Sequence, residues 1–201
     1  MRVLRQATEA EVVAAFLRGE LESERWRESL LALLREDVMD AAVVESPDVD
    51  HPAESAYRAR LLDRHRAWLR REGLFEGFPE HVEWRRAALT PEEVLGILYI
   101  DWDWWLRLSG GTRRPLDAAA RIRRGAVPGV TAEEHEAIAS RLRTDDPQAQ
   151  LIAATDPDRT RLVCLEGHVR LTAYALYPEY LPDELEIFLG NAPDMAGWSE
   201  F

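Results

Sequence analysis

Apolar residues recur at helical spacing through the first third of the chain. Between residues 8 and 38 they stand three or four positions apart, as on one face of an α-helix: Val12, Val13, Phe16, Leu17, Leu21, Leu30 and Leu34. Thr8 and Glu11 have the spacing of a capping box, which predicts where the first helix begins. Gly19 is expected to interrupt it, with a second helix following. The same periodicity returns in residues 53–72, where arginines alternate with acidic residues and predict a solvent-exposed face.

Helical and strand-like patterns alternate in the rest of the chain. Thr90, Pro91 and Glu93 carry three agreeing signals of a helix start, and this helix is expected to reach about residue 106. Residues 74–89 are interpreted as an aromatic connector, and the first six residues as the lead into a helical pattern. The elements predicted further on are helices at 117–124 and 132–143, a β-hairpin of 151–154 with 162–165, a helix at 168–176 and a strand at 185–189.

This order of elements predicts an α/β (α+β) fold in two parts. Residues 1–110 are expected to be helical and rich in aromatic side chains. Residues 111–201 are expected to form a smaller mixed α/β domain on which the helical part packs. A chain of 201 residues buries roughly 70% of its unfolded surface, so the fold needs neither a structural metal nor a disulfide.

Composition excludes several classes of function. The net charge of −12 repels nucleic acid unless the basic residues are concentrated on one face, and no apolar run approaches the roughly 18 residues of a membrane span. All 25 basic residues are arginine, which excludes a Walker-A lysine and a lysine Schiff base. Cys164 is the single cysteine, so no intrachain disulfide forms. With no apolar targeting segment at residues 1–6, we expect a cytoplasmic protein without nucleic-acid or membrane partners. Its oligomeric state stays open.

One segment carries the chemistry. An apolar predicted strand ends in Glu166 and Gly167, and a helix opens at once with His168, Val169 and Arg170. The first turn of a helix exposes unpaired N–H groups and the positive end of the helix dipole, so it favours an anion. The glycine allows close approach of a phosphate to the backbone, and the histidine and arginine add donors. The turn is therefore a candidate phosphate site.

This segment resembles the phosphate-binding segment of the ParB/sulfiredoxin superfamily. Members carry Gly-x-x-Arg after a β-hairpin, and Gly167 and Arg170 occupy those two positions. The resemblance extends back to Arg113-Arg114-Pro115-Leu116, which is similar to the Arg-Pro-Leu-Pro of sulfiredoxins, and so covers about residues 112–190. It implies that Gly167, His168, Arg170, Arg113 and Arg114 contact nucleotide phosphates.

Within the superfamily, the residues favour one branch. Sulfiredoxins need a cysteine directly after the motif glycine, where this chain has His168. Chromosome-partitioning ParB proteins add a helix-turn-helix domain, and none is expected after this motif. The free-serine kinases use Asp-Gly-His-His-Arg, which Glu166-Gly167-His168-Val169-Arg170 resembles most closely. That branch implies ATP or ADP (CTP is the alternative) with Mg²⁺ as cofactor.

The kinases also use a glutamate near the start of the domain as general base, and no glutamate stands there in this chain. The ranked candidates for that role are Asp117, Glu166, Asp103 and Asp101. Asp117 leads because it follows the basic segment that the resemblance places beside the phosphates. Glu166 precedes the phosphate-binding glycine, and is equally well interpreted as a Mg²⁺ ligand or as the ion-pair partner of Arg170.

Two tryptophans, Trp102 and Trp105, stand at i,i+3 on one face of a predicted helix. They either join the two halves of the core or line a substrate pocket. His168 is either a ligand contact or a polar residue at a helix start. Together these features favour nucleotide-dependent phosphoryl transfer to a small hydroxylated metabolite. The alternative is a nucleotide-sensing or protein-interaction module without turnover.

Overall fold

The computed structural model describes residues 1–142 and 151–201. Within them, helices and strands form the α/β (α+β) fold expected from the sequence. The strands are β1 (Arg2–Gln6), β2 (Glu83–Leu89), β3 (Ile152–Thr155), β4 (Leu162–Glu166) and β5 (Leu185–Asn191). The helices are α1 (Glu9–Glu22), α2 (Arg27–Glu36), α3 (Ala42–Glu45), α4 (Pro52–Arg66), α5 (Pro91–Leu95), α6 (Asp103–Ser109), α7 (Pro115–Arg123), α8 (Ala132–Leu142) and α9 (His168–Leu176).

The five strands form one mixed sheet in the order β1-β2-β5-β3-β4. β3 and β5 run parallel, and the other neighbours run antiparallel. The outer edge of β4 is covered by Leu98, whose N–H donates to Leu162 O and whose carbonyl accepts from Cys164 N, both at 2.8 Å. At the opposite edge of the sheet, the pairing of β1 with β2 shifts register between Val3 and Arg5. The predicted hairpin β3–β4, helix α9 and strand β5 are confirmed.

Alternate residues of the inner strands enter two apolar clusters, which lie on opposite faces of the sheet. Ile152 and Ala154 point to the cluster formed with α1 to α4, and Ala153 points to the cluster formed with α5, α6, α7 and α9. The first cluster also holds aromatic rings from residues 68–84 and Trp198, in contact at 4.8–6.4 Å between ring centres. Helices therefore cover both faces of one central sheet.

The all-helical interpretation of residues 1–110 is wrong, because β1 and β2 lie in the same sheet as β3, β4 and β5. β2 falls in the segment interpreted as a connector. Its pattern is obscured by Arg86, which is buried, pairs with Glu186 of the neighbouring strand at 2.6 Å, and lies over the ring of Phe188 at 4.3 Å. From the sequence alone, an arginine that is buried against partners on the neighbouring strand cannot be told from an exposed arginine in a connector.

Three predicted helices have different ends in the structure. α1 continues through Gly19 to Glu22, and the Thr8 capping box is confirmed. The Thr90 capping box is also confirmed, but α5 stops at Leu95, and the chain then joins β4 before α6 begins. α4 ends at Arg66 rather than at residue 72. The predicted end of α8 at residue 143 lies outside the described residues.

Among the described residues, no helix is both long and apolar enough to cross a membrane.

Substituting Gly190 tests the packing of the sheet against the aromatic cluster. A Cβ on this β5 residue would lie 2.6 Å from the ring of Trp84 and 2.8 Å from Val82 Cγ1, and a closely packed core has no space for it. We expect Gly190→Ala to lower the free energy of unfolding by about 1–3 kcal/mol through overpacking. Urea denaturation measures this. Gly96→Ala is the control, because its Cβ would meet only backbone oxygens at 3.3–3.4 Å; an equal loss in both variants would contradict the prediction.

Candidate functional site

The turn between β4 and α9 has the geometry of an anion site. β4 ends at Glu166, Gly167 takes the left-handed conformation with φ +101°, and α9 begins at His168. A Cβ on Gly167 would also lie 2.5 Å from Leu151 Cδ2, so glycine is required for both conformation and space. The first N–H groups of α9 have no acceptor within the helix and carry the positive end of its dipole.

Arg170 is nine-tenths buried beside this turn. Its Nη2 donates to Glu166 Oε1 at 3.0 Å, and its Nη1 lies 3.6 Å from a carboxylate oxygen of Glu22 at the end of α1. Among the described residues, no acceptor lies within hydrogen-bond reach of Arg170 Nε. The guanidinium is thus held by two carboxylates and keeps one donor without a protein partner.

His168 is also nine-tenths buried, and its ring stacks on Trp105 with centres 4.8 Å apart and planes at 17°. Burial lowers the pKa of His168 to about 3, with Arg66 and Arg170 adding to the effect. The ring is therefore neutral at pH 7. Its Nε2 has no hydrogen-bond partner among the described residues. His168 thus offers a neutral hydrogen-bonding nitrogen instead of a positive charge.

The carboxylate of Glu166 lies against α1. A Cβ on Gly19 would come within 2.5 Å of Glu166 Oε1 and 3.1 Å of Arg170 Nη2, so the lack of a side chain at this helical position makes room for the pair. Burial raises the pKa of Glu166 to about 7; Arg170 opposes this rise, and Glu20 adds to it. A carboxyl with that pKa is half ionised near neutral pH.

A second cluster of buried charged side chains lies on α1 and α4 and acts electrostatically on Glu166. Glu20 is 2% exposed and accepts from Arg66 Nη1 at 2.6 Å and from His65 Nε2 at 2.9 Å. Arg66 also lies 4.4 Å over the ring of Trp26. The expected solvent-exposed face of residues 53–72 is therefore wrong at Arg66, and likewise at the fully buried Arg58.

Sequence reasoning missed the contribution of α1 to this site. The available signal was Glu20, which stands three positions after Leu17 and four after Phe16, on the apolar face of α1. A carboxylate on an apolar stripe needs a buried partner. Nothing in the sequence identifies Arg66 or His65 as that partner, because the contact depends on how α1 and α4 pack.

The structure gives Arg113 a different task from the expected phosphate contact. Its Nε donates to Tyr99 O at 2.7 Å, its Nη1 to Phe201 O at 2.8 Å and its Nη2 to Glu200 O at 2.5 Å. The three nitrogens bind main-chain oxygens from two distant segments, so Arg113 acts as a structural clamp. Arg114 is exposed at the N-cap position of α7.

Of the four candidate carboxylates, Glu166 belongs to the turn itself. Asp101 lies 4.0 Å from Arg113 and so belongs to the clamp. Asp103 is exposed in the first turn of α6, and Asp117 is half-buried in the first turn of α7. A negative charge in the first turn stabilises a helix through its dipole. This gives the two aspartates a structural role at their positions.

The two tryptophans separate in the structure. Trp105 stacks on both His168 and Tyr99, with centre distances of 4.8 Å to each ring, and those two rings are themselves 6.2 Å apart. Trp102 instead packs against the core on the α1–α4 face and hydrogen-bonds the carboxyl of Glu200. Trp105 therefore joins the candidate site, whereas Trp102 joins the clamp region.

A cavity of about 550 Å³ lies at the end of the sheet where β2 begins and β3 and β5 end. Since β4 runs antiparallel to β3, the Glu166 turn is at the opposite end of the sheet. The cavity is separate from the candidate site. Its lining is Glu9, Glu80, His81, Val82, Glu83, Pro157, Asn191 and Pro193.

The residues at the turn do not fit a magnesium site of their own. A metal ligand needs free carboxylate oxygens, but the guanidinium of Arg170 already stands between Glu166 and Glu22 at 3.0 and 3.6 Å. In the described part of the chain, no three acidic, histidine or cysteine side chains are placed to hold a metal ion. The expected Mg²⁺ role of Glu166 has no support in this donor set.

A scan against protein-family models, and searches of the curated proteins and of the solved structures, found no match to this chain. The resemblance to the ParB/sulfiredoxin superfamily therefore rests on the motif and the order of elements.

Arg113→Ala separates the clamp from the anion site. Loss of three hydrogen bonds from a largely buried charged group should lower the free energy of unfolding by roughly 2–3 kcal/mol, measured by urea denaturation. Affinity for a phosphate ligand, measured by calorimetry on the folded variant, should stay within about twofold of wild type because none of the hydrogen bonds of Arg113 is to residues 166–170. A large loss of affinity at unchanged stability would instead restore the phosphate role of Arg113.

Glu166 and His168 are expected to give stability opposite dependences on pH. The pKa of Glu166 is raised from 4.5 to about 7, so the folded state binds more protons than the unfolded state between these values, and stability falls as pH rises. The pKa of His168 is lowered from 6.5 to about 3, so stability falls as pH drops through that range. Between pH 4.5 and 6.5 the two contributions oppose each other.

Glu166→Gln removes the first contribution. Its free energy of unfolding should rise relative to wild type by up to about 1.4 kcal/mol per pH unit from pH 4.5 to 7, and then stay level. Urea denaturation of both proteins across pH 4.5–8 measures the difference. A difference that does not vary with pH would show that Glu166 ionises normally.

Proposed function

We propose that the turn at residues 166–170 binds the phosphates of a nucleotide and that the protein transfers a phosphoryl group to a small hydroxylated metabolite. One observation carries the proposal. Gly167 is in the left-handed conformation at the N-terminus of α9, and the first turn of α9 carries His168 and Arg170, which are both nine-tenths buried. Two of their nitrogens, His168 Nε2 and Arg170 Nε, have no hydrogen-bond partner among the described residues. Such unpaired buried groups are rare and call for an explanation, which a phosphate would supply.

Binding would use two kinds of donor, the backbone N–H groups and Arg170. The N–H groups in the first turn of α9 meet phosphate oxygens directly, as at other helix N-termini. Arg170 adds a charge-assisted hydrogen bond from a site largely closed to water, where such bonds are strong. His168, held in place by its stack on Trp105, is neutral and donates its one N–H toward the main chain of Cys164, so its Nε2 is an acceptor that suits a P–OH group or the acceptor hydroxyl. Phosphoryl transfer depends mainly on such positioning and charge stabilisation, and needs no lysine.

Glu166 is the general base in this proposal. Burial raises its pKa to about 7, close to the value at which a base is most effective at neutral pH. The acceptor hydroxyl oxygen attacks the terminal phosphorus, the bond from phosphorus to the leaving nucleotide oxygen breaks, and the hydroxyl proton passes to Glu166. Glu166 then releases the proton to water. The experiments below test which nucleotide and which acceptor hydroxyl compound the site prefers.

The order of elements also supports the proposal. Helices α7 and α8, the hairpin β3–β4, helix α9 and strand β5 follow one another as the resemblance to the superfamily leads one to expect. Any magnesium would arrive with the nucleotide, since the chain's own residues do not fit a metal site.

The non-catalytic alternative has one observation in its favour. Arg170 is already paired with Glu166 and Glu22, so the site's main cation is partly neutralised before any ligand binds. A nucleotide-sensing or protein-interaction module needs no base and tolerates this arrangement. Turnover distinguishes the two functions.

Arg170→Ala and Glu166→Gln should have different effects. Arg170→Ala should weaken nucleotide binding by roughly 1.5–3 kcal/mol, since it removes hydrogen bonds to a charged group. Glu166→Gln should keep the affinity nearly intact and lower kcat by about 10²–10⁴. Calorimetry with ATP, ADP, CTP and GTP plus Mg²⁺ measures binding. Mass spectrometry with a library of hydroxylated metabolites follows new phosphomonoesters.

Arg124→Ala is the matched control, because it removes an exposed arginine at the end of α7 and leaves the turn unchanged. Binding that depends on Arg170, without any product across the library, would support the sensing module. If no nucleotide binds the wild-type protein, phosphoryl transfer and nucleotide sensing are both wrong.

A further inference from the structure

Tyr174 lies one turn after Arg170 on α9, and its side chain has no exposed surface. Its hydroxyl has no hydrogen-bond partner among the described residues. Buried tyrosine hydroxyls normally have a partner, because an unpaired buried donor costs free energy. Tyr99, in the same apolar cluster, follows this rule and shares a hydrogen bond of 2.7 Å with Thr172 Oγ1. The hydroxyl of Tyr174 therefore calls for an explanation that the contacts of the fold do not give.

Helix geometry brings this hydroxyl back towards the start of α9. Side chains of an α-helix lean towards its N-terminus, so a long residue covers the turn that precedes its own Cα. Residues four positions apart are neighbours on the helix surface, which places Tyr174 beside Arg170. Burial raises the pKa of Tyr174 to about 12, and the charge of Arg170 opposes this rise. The hydroxyl is therefore protonated at neutral pH and can donate a hydrogen bond.

Arg170 presents an unpartnered donor next to the same turn. Its Nη2 donates to Glu166 and its Nη1 faces Glu22, whereas its Nε has no acceptor within reach among the described residues. A Cβ on Gly167 would lie 3.2 Å from this Nε, so the nitrogen lies beside the residue that opens α9. Two unpartnered donors, the Nε–H of Arg170 and the O–H of Tyr174, thus belong to neighbouring side chains near the helix N-terminus.

An anionic oxygen suits these two donors better than a water molecule does. A buried water needs acceptors for its own two hydrogens as well as donors. Tyr174 belongs to an apolar cluster with Leu151 and Leu171, which offer no side-chain acceptor. A phosphate oxygen carries no hydrogen, accepts more than one hydrogen bond, and makes charge-assisted bonds to a guanidinium. The unpartnered donors therefore match an oxyanion.

We propose that Tyr174 is a further binding residue, whose O–H and the Nε–H of Arg170 together hold an oxygen of the phosphate at the start of α9. This inference rests on the proposed phosphate binding at the turn and deepens it, because it names the side chain that closes the inner end of the site. Since Tyr174 has no exposed surface, only a compact group reaches it. The inner position is therefore filled by a phosphate group rather than by a sugar or a base.

Tyr174→Phe tests the proposal, because it removes the hydroxyl and keeps the ring. The probes are ADP and inorganic phosphate, and calorimetry is the measurement. Binding of both probes should weaken by about 10- to 100-fold, as for the loss of a hydrogen bond to a charged group. Without ligand, the urea midpoint should stay the same or rise, because the variant loses an unpaired buried hydroxyl. In an Arg170→Gln background, Tyr174→Phe should have a smaller effect on affinity.

Tyr177→Phe is the matched control on the same helix. The hydroxyl of Tyr177 donates to Ala132 O at 3.1 Å, at the far end of α9 from the turn. Its removal should lower the urea midpoint, because a hydrogen bond of the fold is lost. Affinity for both probes should stay within about twofold of wild type.

A second readout uses the wild-type protein. The ring-carbon resonance next to a tyrosine hydroxyl in the NMR spectrum responds to hydrogen bonding of that hydroxyl. The resonance of Tyr174 should move when inorganic phosphate is added, whereas that of Tyr177 should not. A Tyr174 resonance that stays in place while phosphate binds would contradict the inference.

The outcomes separate the two proposals. If wild type binds phosphate through Arg170 and Tyr174→Phe binds equally well, the inference is wrong and the proposed phosphate binding stands. A lower urea midpoint with unchanged affinity would show that the hydroxyl of Tyr174 serves the fold, which also overturns the inference. If the wild-type protein binds neither phosphate nor any nucleotide, both proposals are wrong.

Discussion

Arg170 carries a permanent charge into a place that is nine-tenths closed to water, and much of the surrounding structure balances that charge. A buried guanidinium needs carboxylates and acceptors to offset its lost hydration. Glu166 and Glu22 supply them at 3.0 and 3.6 Å. A side chain at residue 19 would collide with Glu166 Oε1 where it meets Arg170. The glycine in α1 and the glycine that opens α9 thus serve the same ion pair from two parts of the chain.

The strand–turn–helix that carries this pair follows closely from the sequence. β4, Gly167 and α9 are encoded by adjacent residues, with an apolar run, a glycine and a helical pattern, and local signals suffice for such elements. β2 was missed because Arg86 breaks its apolar pattern, and the ion-pair partner of Arg86, Glu186, lies 100 residues away in the sequence. The contribution of α1 to the site was missed for the same reason. Glu20 is visible in the sequence as a charge on an apolar face, but its partners depend on tertiary packing.

Arginine serves as a structural residue throughout this lysine-free chain. Arg58 donates to main-chain oxygens of Val43 and Asp48, and Arg113 to three others. A planar guanidinium with five donors can bridge several carbonyls at once, which an ammonium cannot do as well. Expecting Arg113 to meet phosphate was reasonable from its neighbours in sequence. Its donors are instead used to join the 99–113 segment to residues 200 and 201.

The two edge strands of the sheet determine how readily copies of this protein associate by strand pairing. Leu98 hydrogen-bonds along β4 and removes that edge as a template for intermolecular strand pairing. β1, at the other end, exposes Val3 and Leu4, yet Arg2 and Arg5 flank them, and a register shift bends the strand between Val3 and Arg5. Charged flanks and irregular edges are how natural sheets resist aggregation. The arginines at this edge therefore act as gatekeepers of solubility.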